Sequence, residues 1–399
     1  MTATNGPTTT HMPTRLGVVG TSRMEDERRV PIHPDHLPRI APELRARLVF
    51  ERGYGERFGL TDDELGALSG GVASRRELLA ELGAVILPKP VPEDLRELRE
   101  GGLLWGWPHC VQQRAMTQAA IDRRLTLIAF EDMFEWSPNG RVGRHTFYKN
   151  NQLAGYSAVL HALSLKGIDG LYGRQRKVVI LGFGAVSRGA IYALQGRGFH
   201  DLTVCVYRPD FAAAEEIPGC GFRRVRRTRA QGDSGPGRVL VTEPDGSERP
   251  LVELLSRADI VVNAIFQDPN DPLMFVLPDE LTAFKRDALI VDVSCDEGMA
   301  FPFAKPTSFR EPTFPVGPDG RVTYYAVDHT PSYLWQAASR TISEALLKHL
   351  PSVLGGPDAW AADEVVRRAI PIARGVIEDP RILAFQGRSS AYPHEITGV

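Results

Sequence analysis

The run Lys177-Val-Val-Ile-Leu-Gly-Phe-Gly-Ala-Val-Ser-Arg-Gly189 constrains this chain more than any other stretch: an apolar strand enters a glycine turn and leaves it as a helix. Such a turn presents backbone N–H groups and the positive end of a helix to a diphosphate, so a dinucleotide is the first ligand to consider. Gly182 is placed to make the tight turn and Gly184 to let the backbone approach the phosphates, with Ala185 and Val186 as further cofactor contacts before a helix expected from Ser187. The third fingerprint position is Ser187, small enough for close helix packing, and Gly189 follows two residues later. A glycine fingerprint by itself is a weak signal; the strand before it and the helix after it give it weight against a ligand-free packing turn.

The motif stands mid-chain, and 399 residues exceed what one core usually holds, so two domains are expected. The predicted fold class is α/β, with two Rossmann-like domains and the nucleotide-binding one inserted in the middle of the chain. Residues 151–322 are assigned to the dinucleotide domain, 14–150 and 323–399 to a substrate domain, and 1–13 to a disordered tail without the features of a signal peptide. Strands are expected at Arg15–Gly20, Ala84–Leu87, Leu103–Trp107 and Thr126–Phe130, with helices such as Asp62–Leu68 and Ser74–Leu82 between them. A connecting helix over Asn150–Leu165 leads to the strands Val178–Leu181, Leu202–Tyr207, Ala258–Ile265 and Ala288–Ser294. Their continuous apolar runs suit a parallel sheet covered on both faces. The stretch Arg223–Pro250 begins with closely spaced arginines and a Gly/Asp/Ser-rich turn, and reads as a hairpin-like insertion near 221–250 with a solvated surface. The C-terminal portion is expected to fold back on the first domain.

Cofactor choice is read at the end of the second strand of the nucleotide domain, where an NAD site usually carries a carboxylate for the ribose hydroxyl. Here the residues are Tyr207-Arg208-Pro209. A carboxylate would repel a 2′-phosphate and a guanidinium would pair with it, so NADPH is favoured over NADH. Asp210 becomes the rival if the strand ends two or three residues later. Ala264 and Ser294, at the ends of later strands, complete the expected cofactor contacts.

A net charge of −2 gives no electrostatic case for nucleic acid or an anionic membrane, and no apolar run has the length of a span. Cys110, Cys205, Cys220 and Cys295 lie far apart with no CxxC, which argues against zinc or a disulfide framework. Reduced thiols and a cytoplasmic setting follow. No metal site is expected.

Ligands of open parallel sheets sit beyond the carboxyl ends of strands. Three such ends carry reactive side chains: Lys89 after the AVIL strand, His109 after LLWGW, and Asp296 after ALIVDVS. Arg29, in the Glu27-Arg-Arg-Val-Pro31 loop after the first strand, could clamp a carboxylate. Singly, each has a plain reading as a hydrogen-bonding histidine, a solvated lysine or a turn-capping aspartate.

In this order around a central nucleotide fold they resemble the alanine dehydrogenase/saccharopine dehydrogenase superfamily, over nearly the whole chain from Arg15 to about Leu350. GWPHCVQQ, AFEDMFEWSPNGR, FYKNNQLAGYSAVLHAL and VDHTPSYLWQAAS are most similar to the N5-(carboxyethyl)ornithine synthase branch, with saccharopine dehydrogenase second. The resemblance implies that Arg29 holds a substrate carboxylate, that Lys89 and His109 form an acid/base pair, and that Asp296 stands near the nicotinamide and the substrate amine. It also brings in Asp328 and His329 of the DH-x-PS loop as substrate-binding residues, with Arg144 (and its neighbour Arg141) available for an extra carboxylate. The implied activity is NAD(P)H-dependent reductive condensation of an ornithine or lysine side-chain amine with a 2-oxo acid such as pyruvate. The implied partners are these small molecules, and a homo-oligomer is compatible with the branch. The alternatives are saccharopine dehydrogenase acting on 2-oxoglutarate, alanine dehydrogenase, and a nucleotide-sensing protein that has lost the chemistry.

Overall fold

A computed structural model describes residues 15–207, 217–228, 237–265, 267 and 272–397. The tail 1–13 and the cofactor candidates Arg208 and Asp210 lie outside them. The chain divides into two compact units, Met1–Phe147 with Trp335–Val399, and Tyr148–Leu334.

In the first unit, six parallel strands follow one another along the chain: Leu16–Val18, Leu48–Glu51, Val72–Ala73, Ala84–Ile86, Leu103–Gly106 and Thr126–Ala129. Numbered in chain order they lie 3-2-1-4-5-6 in the sheet, and an antiparallel pair, Ile372–Ala373 and Val376–Ile377, extends it beyond the sixth. Alternate residues feed opposite faces, as the strand period requires. Leu16, Val18, Phe50, Ile86 and Trp105 enter one core, and Val49, Val85, Leu104 and Leu127 the other. Burial on both faces explains why these strands read as unbroken apolar runs. The helix Trp335–Leu347 returns to this unit and sets Ile342 and Leu346 into the first of those cores.

The second unit repeats the same order with Lys177–Leu181, Asp201–Val206, Cys220–Thr228, Ile260–Asn263, Ala288–Asp292 and Val322–Tyr325. Two sequence expectations change here. Cys220–Thr228 is the third parallel strand of the sheet, in register with 202–206, and the antiparallel strands Arg238–Thr242 and Glu248–Pro250 extend it outward. It is therefore not part of an inserted hairpin; its arginines hide the strand because Val225 is its one buried residue. The expected boundary at 323 would cut Val322–Tyr325, which pairs with Ala288–Val291 as the sixth strand, so the second unit runs on to Leu334.

The helix Tyr148–Lys166 crosses the helix Ala185–Gly196 with backbones nearly touching. A Cβ on Gly155 would stand 1.9 Å from the Val186 carbonyl oxygen, and one on Gly189 would stand 1.8 Å from that of Gln152. Gly189 thus carries the close-packing requirement of the fingerprint helix. No helix among the described residues is long and apolar enough to cross a membrane.

Candidate active site

A sheet ordered 3-2-1-4-5-6 opens a crevice where its first and fourth strands part company. In the first unit these are Leu16–Val18 and Ala84–Ile86, and the fourth strand leads within three residues to Lys89. The backbone there is held on two sides: the Ser22 hydroxyl donates to the Lys89 carbonyl at 3.1 Å, and the Trp107 N–H to the Pro88 carbonyl at 2.9 Å. The neighbouring fifth strand delivers His109, and Lys89 Nζ lies 3.2 Å from His109 Nε2. The two residues proposed from strand ends are thus in direct contact.

His109 has a left-handed φ of +48°, a conformation that disfavours a non-glycine residue by roughly 1–2 kcal/mol. It is held there by its own N–H, which donates to Glu131 Oε1 at 2.6 Å, and by its carbonyl, which accepts from Gln113 N at 3.0 Å. Glu131 was not singled out from the sequence. The same Oε1 stands 3.8 Å from His109 Nδ1, with 24% of the glutamate side chain exposed. Its Oε2 is buried without a hydrogen-bond partner among the described residues. Burial, reinforced by the charge of Asp132, pushes this carboxyl up to about 8, with Lys89 opposing. His145 closes the far side: its Nε2 lies 3.2 Å from the Glu131 carbonyl oxygen, and burial drives its imidazole down to about 4. The constellation is therefore a lysine, a histidine and a carboxyl that is neutral at neutral pH.

Arg29 is buried under Trp107, its guanidinium 5.2 Å from the ring centroid. Glu27 accepts from its backbone N–H and from Nε, each at 2.8 Å, and from Nη2 as well. One edge of the guanidinium is thus engaged by a neighbour that the sequence reading did not weigh. A substrate carboxylate would have to use the Nη1 side. Arg144 is exposed on the second strand of the hairpin Phe134–Trp136/Val142–His145.

On the second unit the corresponding crevice lies between Lys177–Leu181 and Ile260–Asn263. Gly182 has φ +95°, and a Cβ there would meet the Ala264 carbonyl, Ile265 Cγ1 and Ser187 Oγ, each at 3.2 Å. Ser294 donates to the Ile265 carbonyl at 2.9 Å, which joins the ends of the fourth and fifth strands. The helix begins at Ala185 behind Gly184, with no side chain capping it, and a Cβ on Gly184 would find nothing within 4 Å. Ser187 is fully buried and its hydroxyl has no partner among the described residues. Open space above uncapped N–H groups, with an orphaned hydroxyl beside them, fits a diphosphate. Tyr207 is partly exposed at the end of the second strand.

The first unit has the same topology, yet its equivalent loop is filled from within. Glu51, closing the second strand, accepts from the backbone N–H groups of Gly20 and Thr21 at 2.7 and 2.8 Å and from the Thr21 hydroxyl at 2.6 Å.

Asp296 leaves the fifth strand of the second unit, with burial and the nearby Asp292 raising it to about 6. Asp292 itself is buried, accepting from Asn263 Nδ2, Tyr324 Oη and the Cys295 N–H at 2.8–3.0 Å. Asp328 and His329 also belong to this unit, in the loop after its sixth strand. His329 Nδ1 lies 2.6 Å from Asp328 Oδ1, and its buried Nε2 is without a partner among the described residues.

Two family models match the chain: the alanine dehydrogenase/PNT N-terminal domain over residues 18–142 and the alanine dehydrogenase/PNT C-terminal domain over residues 161–380. N(5)-(carboxyethyl)ornithine synthase of Clostridium botulinum is 27% identical over 342 residues, covering 82% of this chain and 91% of that protein. The protein of the same name from Lactococcus lactis is 24% identical over 355 residues, covering 84% of this chain and 94% of its own length. A structure of L-alanine dehydrogenase shares the fold with a TM-score of 0.72 at 18% identity, over 93% of this chain and 98% of that one.

Proposed function

The chain belongs to the alanine dehydrogenase/PNT family, and from that premise we propose that it is a nicotinamide-dependent oxidoreductase acting on a C–N bond. The reaction we infer is the reductive condensation of an ornithine or lysine side-chain amine with a 2-oxo acid such as pyruvate. The observation that supports this most is the contact between Lys89 Nζ and His109 Nε2 at the switch point of the first sheet. The two N(5)-(carboxyethyl)ornithine synthases to which the chain is similar favour this amine over ammonia.

Such a condensation needs a neutral amine, loss of water from the carbinolamine, and a carbon ready to accept hydride. A reduced nicotinamide, when bound, supplies that hydride. Lys89 is proposed to protonate the leaving oxygen, with His109 relaying the proton through the contact they share. Arg29 orients the oxo acid by its carboxylate, using the guanidinium edge that Glu27 leaves. Asp296 attracts the amine and the positive charge that develops on it. The Gly182–Ser187 turn, Ala264, Ser294 and Tyr207 are the proposed contacts of the dinucleotide, with NADPH the preferred form.

The test crosses ornithine, lysine and ammonia with pyruvate, 2-oxoglutarate and glyoxylate, following NADPH oxidation and identifying products by mass. A carboxyethyl adduct of ornithine or lysine is expected. Alanine as the main product would reassign the chain to alanine dehydrogenase, saccharopine would reassign the oxo acid, and a flat grid would remove the enzymatic reading. Lys89→Met is expected to lower turnover by roughly 10²–10⁴-fold, the usual contribution of general acid–base catalysis, with NADPH binding unchanged. Undiminished turnover would take Lys89 out of the mechanism.

A further inference from the structure

We infer that Arg224, on the third strand of the second unit's sheet, reads the phosphate that distinguishes NADPH from NADH. The inference rests on the dinucleotide reading above and assigns that phosphate to a strand that the sequence presents as an insertion.

Four arginines of Cys220–Thr228 are described, and three are engaged. Arg226 grips Glu248 through Nε at 2.6 Å and through Nη2, Arg223 approaches Glu243, and Arg227 packs against Gly237 and acts on the Tyr207 hydroxyl. Arg224 is exposed and makes no hydrogen bond among the described residues. The carboxylate whose field it shares is Glu248, already held by Arg226.

Its position follows from register. Arg224 pairs with Val206, so it stands beside the last residue of the second strand, immediately before Tyr207. That strand end is where this topology reads the adenosine ribose. Side chains two apart share a face of a strand, so Arg224 projects on the same face as Phe222. Phe222 in turn lies edge-on to Phe183, within the glycine turn itself, with centroids 5.0 Å apart. One face of the third strand therefore runs from the glycine turn toward the ribose end, and Arg224 is its next residue. Cys205–Tyr207 contain no carboxylate that would repel a phosphate there. A guanidinium with no hydrogen-bonded carboxylate among the described residues can meet a phosphate in a bidentate pair.

The experiment is a fluorescence titration of the full chain with NADPH and with NADH, comparing the unmodified protein, Arg224→Gln and Arg226→Gln at two salt concentrations. The unmodified protein is expected to bind NADPH more tightly, with Arg224→Gln losing roughly tenfold or more on NADPH, as for a charged hydrogen-bond pair. Its NADH affinity should not change, which also shows that the variant is folded, and its NADPH affinity should depend less on salt. Arg226→Gln should keep the preference. The assignment is overturned if Arg224→Gln retains the preference, if it loses both cofactors alike, or if the unmodified protein does not discriminate. Absence of binding by either dinucleotide would instead bring down the cofactor reading itself.

Discussion

Glu131 shows what a single residue adds to the Lys89–His109 pair. Its Oε1 holds the strained His109 backbone and its Oε2 is buried without a partner among the described residues, so the neutral carboxyl is favoured until about pH 8. Below that value the pair sits beside a neutral dipole; above it, beside an anion. The profile of kcat/KM against pH should therefore carry an ionisation near 8. Glu131→Gln keeps an acceptor for the His109 N–H and removes the titrating group, so that ionisation should vanish while the fold persists. Its survival in the variant would assign it elsewhere. Lys89 and His109 were legible because each follows an apolar strand directly. Glu131 was not, because it follows its strand beside Asp132, and nothing in the order Phe-Glu-Asp says which carboxyl turns inward. The Glu27 grip on Arg29 was hidden in the same way, since only a folded loop brings residues two apart onto one guanidinium.

Elements were legible where burial is two-sided and opaque where it is not. The central strands announced themselves as Val/Ile/Leu runs, whereas Cys220–Thr228 buries Val225 alone and reads in sequence as part of a hairpin-like insertion. The glycine turn was readable from its neighbours, but the use of Gly155 and Gly189 as a paired helix crossing required both helices to be in place. Gly189→Ala sets a methyl against a carbonyl oxygen, and separating the helices should destabilise the protein by roughly 1–3 kcal/mol or more, seen as a lower midpoint in urea. An unchanged midpoint would show that the crossing relaxes freely. A second element, Pro34–Arg39, docks through His36, whose Nδ1 lies 2.8 Å from Ser343 Oγ on the helix Trp335–Leu347. Burial lowers both His33 and His36, and Glu344, Arg39, Arg340 and Asp35 are the charged groups around them. The unfolded imidazoles take up protons near pH 6.5 and the folded ones only lower, so stability is complete above 6.5 and falls as the pH drops beneath it. His145 adds to the same slope down to about pH 4. Thermal midpoints measured from pH 7.5 to 5 should decline, and His36→Gln should flatten the decline; an equal slope would acquit His36.

At the scale of the whole chain, one topology is used twice and its loops are spent differently. Both sheets run 3-2-1-4-5-6, and in each the loop after the first strand offers backbone N–H groups at the place where such folds take a diphosphate. In the second unit that loop ends in an uncapped helix with open space at Gly184. In the first, Glu51 has folded its carboxylate onto Gly20 and Thr21 and so occupies the donors that a phosphate would need. An internal carboxylate on fixed amides has a large advantage in effective concentration over a dissolved anion. The consequence is a stoichiometry: calorimetric titration with NADPH should saturate at one dinucleotide per chain, and Gly184→Val should abolish that binding while the first sheet stays folded. Two sites per chain, or binding that survives Gly184→Val, would mean that the first unit also accepts the cofactor and that Glu51 yields to it. Because Glu51 also fixes the loop whose Ser22 supports the Lys89 carbonyl, Glu51→Ala should weaken catalysis more than it weakens NADPH binding. That split between kcat and cofactor affinity is what distinguishes a loop given over to holding Lys89 from one given over to holding a nucleotide.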